Sequence, residues 1–368
     1  MRNRIYAATV ALVLASTPST SSAVEGGAGA YLLGSRDSFA GIVPGPGVYG
    51  GIDYIYLDGS VEGLSLAGLP IRADTNLDVS FAKLSLTRVF NTQLWDGTPA
   101  FNLNIPLVFD ADLSFVGQTP PIDGIPIEDS TSGIADITLT SLVGWHSGNL
   151  HYSAAFSVFA PTGSYSIASI DVPNRTINSL NTGKNICSFQ GVFEATYFDP
   201  TNGLEYSGAA SLLFSTRNKA TDYQNAPALN LEGTLMQHIK SGWAFGASGY
   251  AYKQLGDDSG SGADSTKAFL GASSLSARVF GLGPIVTFSG ATVFGQEAGF
   301  KFKYFKEFGA KRRFESDVFW ANMSLAFLTG WLEPMSDIHE MSRLCYSGRF
   351  SGCSAMARSR ATLSSVEG

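Results

Sequence analysis

The stretch FNLNIPLVFDADL at positions 101–113 places Phe101, Leu103, Ile105, Leu107, Phe109, Ala111 and Leu113 at odd positions, with Asn102, Asn104, Asp110 and Asp112 among the even ones. Side chains two apart on a strand share a face, so this stretch reads as a β-strand with one greasy and one polar side.

The same split recurs on both sides of it. Ala135, Ile137, Leu139, Val143 and Trp145 oppose Asp136, Thr138 and Thr140, and Leu150, Tyr152, Ala154, Phe156 and Val158 oppose His151, Ser153 and Ser157. Further on, Phe193, Ala195 and Tyr197 oppose Glu194 and Thr196, Leu229, Leu231 and Leu235 oppose Asn230, Glu232 and Thr234, and Phe319, Ala321, Met323, Leu325 and Phe327 oppose Asn322 and Ser324. No stretch carries a 3.6-residue period over a helix length.

A soluble antiparallel sandwich also alternates, so connection lengths carry the decision. Strands are expected to start near residues 48, 74, 99, 133, 150, 184, 204, 228, 243, 274, 292 and 315. That is about twelve strands, with ten to fourteen compatible. The connections 59–73, 116–132, 161–183, 218–227 and 256–273 are long, whereas 91–98, 147–149, 199–203 and 240–242 are short. Long external loops alternating with short periplasmic turns, and strands longer than about ten residues, fit an all-β transmembrane antiparallel β-barrel. Pro106, in mid-strand, predicts a bulge because it has no N–H to give the ladder.

The ends and the composition agree. Arg2 and Arg4, the apolar run Ile5–Ala15 and the small residues closing on Ala23 read as a signal peptide, 1–23. Its removal takes two arginines from the formal charge of -7, leaving -9, which argues against nucleic acid as a partner. Only 15% of residues are charged, against about a quarter in soluble chains, yet no apolar run past the leader is long enough for a spanning helix. A closed barrel is the other way to satisfy every backbone group in lipid. The expected location is the outer membrane of a Gram-negative bacterium, after export through the inner membrane. Residues 24–47 are expected as a periplasmic or plug-like segment, 48–327 as the barrel and 328–368 as an irregular tail.

Motifs for chemistry are sparse. Of the three cysteines only Cys345 and Cys353 are close enough to suggest a bridge, and Cys187 stands apart. His339-Glu340 opens like a zinc helix signature, but Arg343 occupies the second histidine position. Gly256–Asp264, with Asp257, Asp258 and Asp264, lacks the spacing and closing Glu of a calcium loop and reads as a mobile external loop. No catalytic, cofactor or metal site is expected.

Taken in order, several short stretches resemble one known family. They are Tyr31-Leu32-Leu33-Gly34-Ser35, Pro44-Gly45-Pro46-Gly47-Val48-Tyr49, Ala160-Pro161-Thr162-Gly163-Ser164-Tyr165, Ala220-Thr221-Asp222-Tyr223, Gln254–Gly260, Arg278–Pro284 and Lys306–Lys311. The chain is similar, over roughly 25–327, to the outer-membrane proteins associated with the meta pathway of phenol degradation. The resemblance implies a barrel with a part in taking up aromatic or other hydrophobic compounds, and no catalytic residues. Such barrels are expected to finish on an aromatic strand like Phe319–Phe327, whereas here forty-one residues follow Phe327.

The expected function is passive, porin-like transport of small hydrophobic, aromatic compounds. Candidate lumen-lining residues are Asp110, Asp136, His151, Glu194, Glu205, Glu232, Arg278, Lys301 and Lys303, and candidate solute-contact aromatics are Tyr54, Tyr56, Tyr250 and Tyr252. Expected partners are outer-membrane lipid and lipopolysaccharide, the barrel-assembly machinery and the solute. A structural or adhesive barrel without transport, and a rim-located lipid hydrolase using Ser, His and an acid, are the alternatives.

Overall fold

A computed structural model describes residues 25–118, 123–171, 173 and 176–327. Residues 1–24, which include the expected signal peptide, and the tail from Leu328, with His339, Cys345 and Cys353, lie outside the described residues.

The alternating stretches become β1 (Gly47–Leu66), β2 (Leu69–Val89), β3 (Thr98–Val116), β4 (Pro126–Ile134), β5 (Ile137–Ser147), β6 (Leu150–Ala160), β7 (Ser169–Asp171), β8 (Thr176–Asn178), β9 (Ser188–Asp199), β10 (Leu204–Ser215), β11 (Ala228–His238) and β12 (Trp243–Gln254). After helix α1 (Ser261–Leu270) come β13 (Arg278–Val293), β14 (Gln296–Lys311) and β15 (Glu315–Phe327). Neighbouring strands pair antiparallel, except for a single parallel bridge between β4 and β8; β1 pairs with β15, and the β2–β3 pairing completes the ring. Strands β4 and β5 share one position beside β3, and β7 and β8 belong to a loop, so the wall is a closed barrel of twelve strands. Closure leaves the wall no free edge for lipid to face.

Pro106 marks the point where β3 changes partner, from β5 up to Asn104 to β4 from Leu107. The Ala135 N–H reaches the Pro106 carbonyl at 3.0 Å across the break. The bulge itself lies three residues on, where Ser80 pairs with Asp110 and Phe81 with Val108, leaving Phe109 extra. One extra residue reverses the faces beyond it. Above the bulge Ala111, Leu113 and Phe115 are buried, while Asp110 and Asp112 are exposed.

The expected long connection 59–73 is instead strand. β1 and β2 run on to a two-residue turn at Ala67 and Gly68, both with positive φ (44° and 87°), the geometry of a tight hairpin turn. Leu64, Leu66 and Ile71 of this extension pack with Leu113, Phe115, Ile127 and Ile177. Its tip meets the loops from other strands: Ala168 N–H donates to the Ala67 carbonyl at 3.0 Å, and Gly68 backs onto Thr221.

The expected mobile loop at 256–264 is also corrected, because it leads into α1. The Asp222 carboxylate, 39 positions earlier, accepts the Ser261 N–H at 2.9 Å and its hydroxyl at 2.7 Å, fixing the first turn. Gly271 in the left-handed conformation ends the helix. Two of its three carboxylates, Asp257 and Asp258, are engaged by protein donors. Asp257 accepts from Lys267 at 2.7 Å, and Asp258 from the Tyr223 hydroxyl at 2.8 Å, the Ala226 N–H at 2.7 Å and Gln254 at 2.8 Å.

Candidate functional site

The barrel interior holds the chain's own residues 25–46. At the long-loop end, the Glu25 carboxylate accepts from Asn218 at 3.0 Å and the Gly26 N–H donates to the Ser65 carbonyl at 2.8 Å. Midway, the Tyr31 hydroxyl donates to Glu232 at 2.5 Å, the Arg36 N–H reaches the same carboxylate at 2.9 Å, and the Arg36 guanidinium pairs with Glu194. Asp37 receives both Lys301 and Lys303, the latter at 2.6 Å. Near the short-turn end, Ser38 and the Phe39 N–H donate to Glu205 at 2.8 and 2.6 Å, and the Gly41 N–H donates to Thr196 at 3.0 Å. Val43 then packs with Val89 and Ala100 before the chain enters β1. The segment therefore crosses the interior from one end to the other.

The segment's carboxylate partners come from β9, β10 and β11, while Leu33 lies in an apolar cluster with Tyr250, Tyr252, Phe305 and Trp320 that also takes in Ile55 of β1, Phe159 of β6 and Leu213 of β10. Lys303 Nζ lies 3.6 Å from the Trp320 ring centroid, and the Trp320 indole donates to Asp53 at 2.6 Å. The interior charges of Arg36, Lys301 and Lys303 are thus each paired with a carboxylate, as a low-dielectric interior requires, while the Arg36 Nε is buried without a hydrogen-bond partner.

The sequence candidates are distributed as follows. Glu194, Glu205, Glu232, Lys301 and Lys303 point inward and meet the segment. His151 is buried on the inner face, its Nδ1 2.6 Å from that of His146 on the same rung. Asp136 sits in the β4–β5 break and accepts the Gly163 and Lys184 N–H groups, both at 2.9 Å, so it anchors the loop after β6. Asp110 and Arg278 stand on the outer face. The Phe109 bulge turns Asp110 outward, and Arg278 alternates with fully buried Val279 while pairing with outward Lys253. Tyr54 and Tyr56 are also outside, beside inward Ile55, with Tyr54 stacked on Phe109. Tyr250 and Tyr252 are buried inside. Arg36 and Asp37 were missed as site residues, although they are the only charged residues between positions 26 and 46.

Glu205 brings a serine and a histidine together, but as the acceptor for both: Ser38 Oγ lies 2.8 Å and His238 Nε2 2.6 Å from the same carboxylate oxygen. The hydroxyl is therefore wired to the acid and not to the imidazole, whereas a serine nucleophile needs its base at the hydroxyl. Among the described residues, no group of three or more His, Cys, Asp or Glu side chains has the arrangement to hold a metal ion.

A closed twelve-strand barrel whose interior is crossed by its own N-terminal segment has the architecture of an outer-membrane β-barrel. An outer membrane channel from Pseudomonas putida F1 superposes with a TM-score of 0.58 at 14% identity, covering 81% of this chain and 100% of that one. The translocator domain of the autotransporter NalP from Neisseria meningitidis gives a TM-score of 0.41 at 13% identity, covering 77% and 90%. The CymD monoaromatic hydrocarbon channel gives 0.39 at 8% identity, covering 78% and 90%. The model of the family described as "Putative MetA-pathway of phenol degradation" matches residues 58–323, and the chain belongs to that family. No curated protein matches the sequence.

Proposed function

We propose that this protein is a passive channel of the outer membrane of a Gram-negative bacterium, taking up small hydrophobic, aromatic compounds. The observation that carries the reading is the way the interior is filled: residues 25–46 occupy it through hydrogen bonds, ion pairs and the packing of Leu33, with no covalent tie. A displaceable segment is a gate. When Leu33 withdraws, it uncovers a wall of Tyr250, Tyr252, Phe305 and Trp320, against which a planar ring gains edge-to-face contact. A barrel of this size leaves room for a narrow path at most, which favours selective passage over bulk diffusion. Family membership and the fold shared with a channel support the same reading. In this reading the solute, outer-membrane lipid and the barrel-assembly machinery are the partners.

The test is uptake of radiolabelled phenol or toluene, at limiting concentration, by cells with and without the gene. Slower uptake in the deletion strain, restored by the intact chain, is the expected result. Unchanged uptake across a panel of apolar solutes overturns it and leaves a structural barrel.

A further inference from the structure

The outer face of the barrel carries a row of three cations on adjacent strands. Lys253 on β12 pairs directly with Arg278 on β13, which pairs directly with Lys311 on β14. Direct partners share a face, and Lys253 lies opposite in direction to buried Tyr252 and Gln254, so the row faces away from the lumen. Neighbouring strands are about 4.8 Å apart, so the three charges fall within roughly 10 Å across the wall. Like charges set directly opposite one another destabilise a sheet. Yet among the described residues none of the three has a carboxylate within ion-pair distance, and the Arg278 Nε is buried without a hydrogen-bond partner.

The rung directly beneath is apolar: Leu231, Ala251, Phe280 and Phe308 are successive partners on β11 to β14, with the Phe280 and Phe308 rings stacked at 5.8 Å. Leu231 and Phe308 are exposed. The cations thus stand one step above a greasy, aromatic surface, at the long-loop end, which in such barrels is the outer end. An anion that completes this row must be held at the boundary between acyl chains and water.

We propose that Lys253, Arg278 and Lys311 form a binding site for a phosphate of lipopolysaccharide in the outer leaflet. Arg278 supplies forked donors to the phosphate oxygens, the two lysines supply point charges, and Phe280 and Phe308 lie against the acyl chains of the same molecule. The site is independent of the channel reading, because it uses the opposite face of the wall.

The experiment measures binding of bis-phosphorylated lipid A to the full mature chain in detergent, by native mass spectrometry. The variants are K253Q/R278Q/K311Q together, R278Q and R278K singly, and K240Q at the short-turn end. Folding is checked by heat-dependent gel mobility. Binding weaker by about tenfold or more in the triple variant is expected from three interfacial cations. R278K is expected to hold lipid A better than R278Q, and K240Q to match the wild type. Dephosphorylated lipid A should bind the wild type no better than bis-phosphorylated lipid A binds the triple variant. Equal binding by the triple variant and the wild type overturns the site, as does undiminished binding of dephosphorylated lipid A. Displacement of lipid A by millimolar inorganic phosphate overturns the lipid assignment in favour of a free-anion site. If the triple variant does not fold, R278Q against R278K decides.

Discussion

Arg36 and Glu194 lie 158 positions apart in the chain, yet their side chains pair inside the barrel, where the other Glu194 oxygen accepts the Ser153 hydroxyl at 2.8 Å. The pair ties the interior segment to the β9 wall. Its partners are largely removed from water, with side-chain exposures of 18% and 5%.

Replacing Glu194 by Ala leaves the Arg36 charge in the interior without its anion, a loss of about 3–5 kcal/mol for a buried pair. Part of that loss biases the segment away from the wall. Larger or more frequent conducting events than wild type are expected in planar bilayers. Identical conductance would show that the segment is held without this contact.

Asp37 neutralises two lysines at once. In Asp37→Asn, Lys301 and Lys303 face each other's charge, and Lys303 is only 5% exposed. The urea midpoint is expected to fall, by the equivalent of roughly 3–5 kcal/mol. Adding Lys303→Met should recover part of it, because the stranded charge goes as well; a double variant no more stable than the single one would refute the pairing.

Gly41 lies against strand backbone. A Cβ there would come within 2.7 Å of the Thr196 nitrogen and 2.8 Å of the Ala195 Cα, and neither can yield without breaking the β9 ladder. Gly41→Ala is therefore expected to lift residues 38–43 from the wall and make them a site of early proteolysis. Gly45→Ala, where a Cβ meets nothing within 4 Å, is the control and should leave the digestion pattern unchanged.

Asp258 joins the loop after β12 to that after β10, and burial, only partly opposed by its three donors, pushes its carboxyl up to about 7. A carboxyl with a raised folded-state pKa takes up a proton on folding, so its contribution is most favourable at low pH and is lost as pH rises from about 4 through about 7. Amide exchange in 216–227 and 255–277 is expected to quicken over that window, beyond the intrinsic base dependence, and Asp258→Asn to flatten the change. A profile identical in wild type and variant would locate the pH response elsewhere.

Alternation by itself placed most of the wall, because strand faces follow from a two-residue period that neighbouring residues set locally. Expected starts at 48, 99, 150, 204, 228, 243 and 315 fall within one residue of the strands observed at Gly47, Thr98, Leu150, Leu204, Ala228, Trp243 and Glu315. Local pattern also pointed Glu194, Glu205, Glu232, Lys301 and Lys303 away from their apolar neighbours. Where one residue is added, as at Phe109, the period survives but its sense reverses, so Asp110 could be placed only once β2 and β3 were paired. In β1, inward Ile55 and outward Tyr54 are both apolar, and hydrophobicity cannot choose between a lipid face and a face packed on an interior segment. The contacts of Arg36 and Asp37 depend on closure of the whole ring, which brings β9 and β14 to the same short segment; no periodicity within twenty residues encodes an approach across 158 to 266 positions.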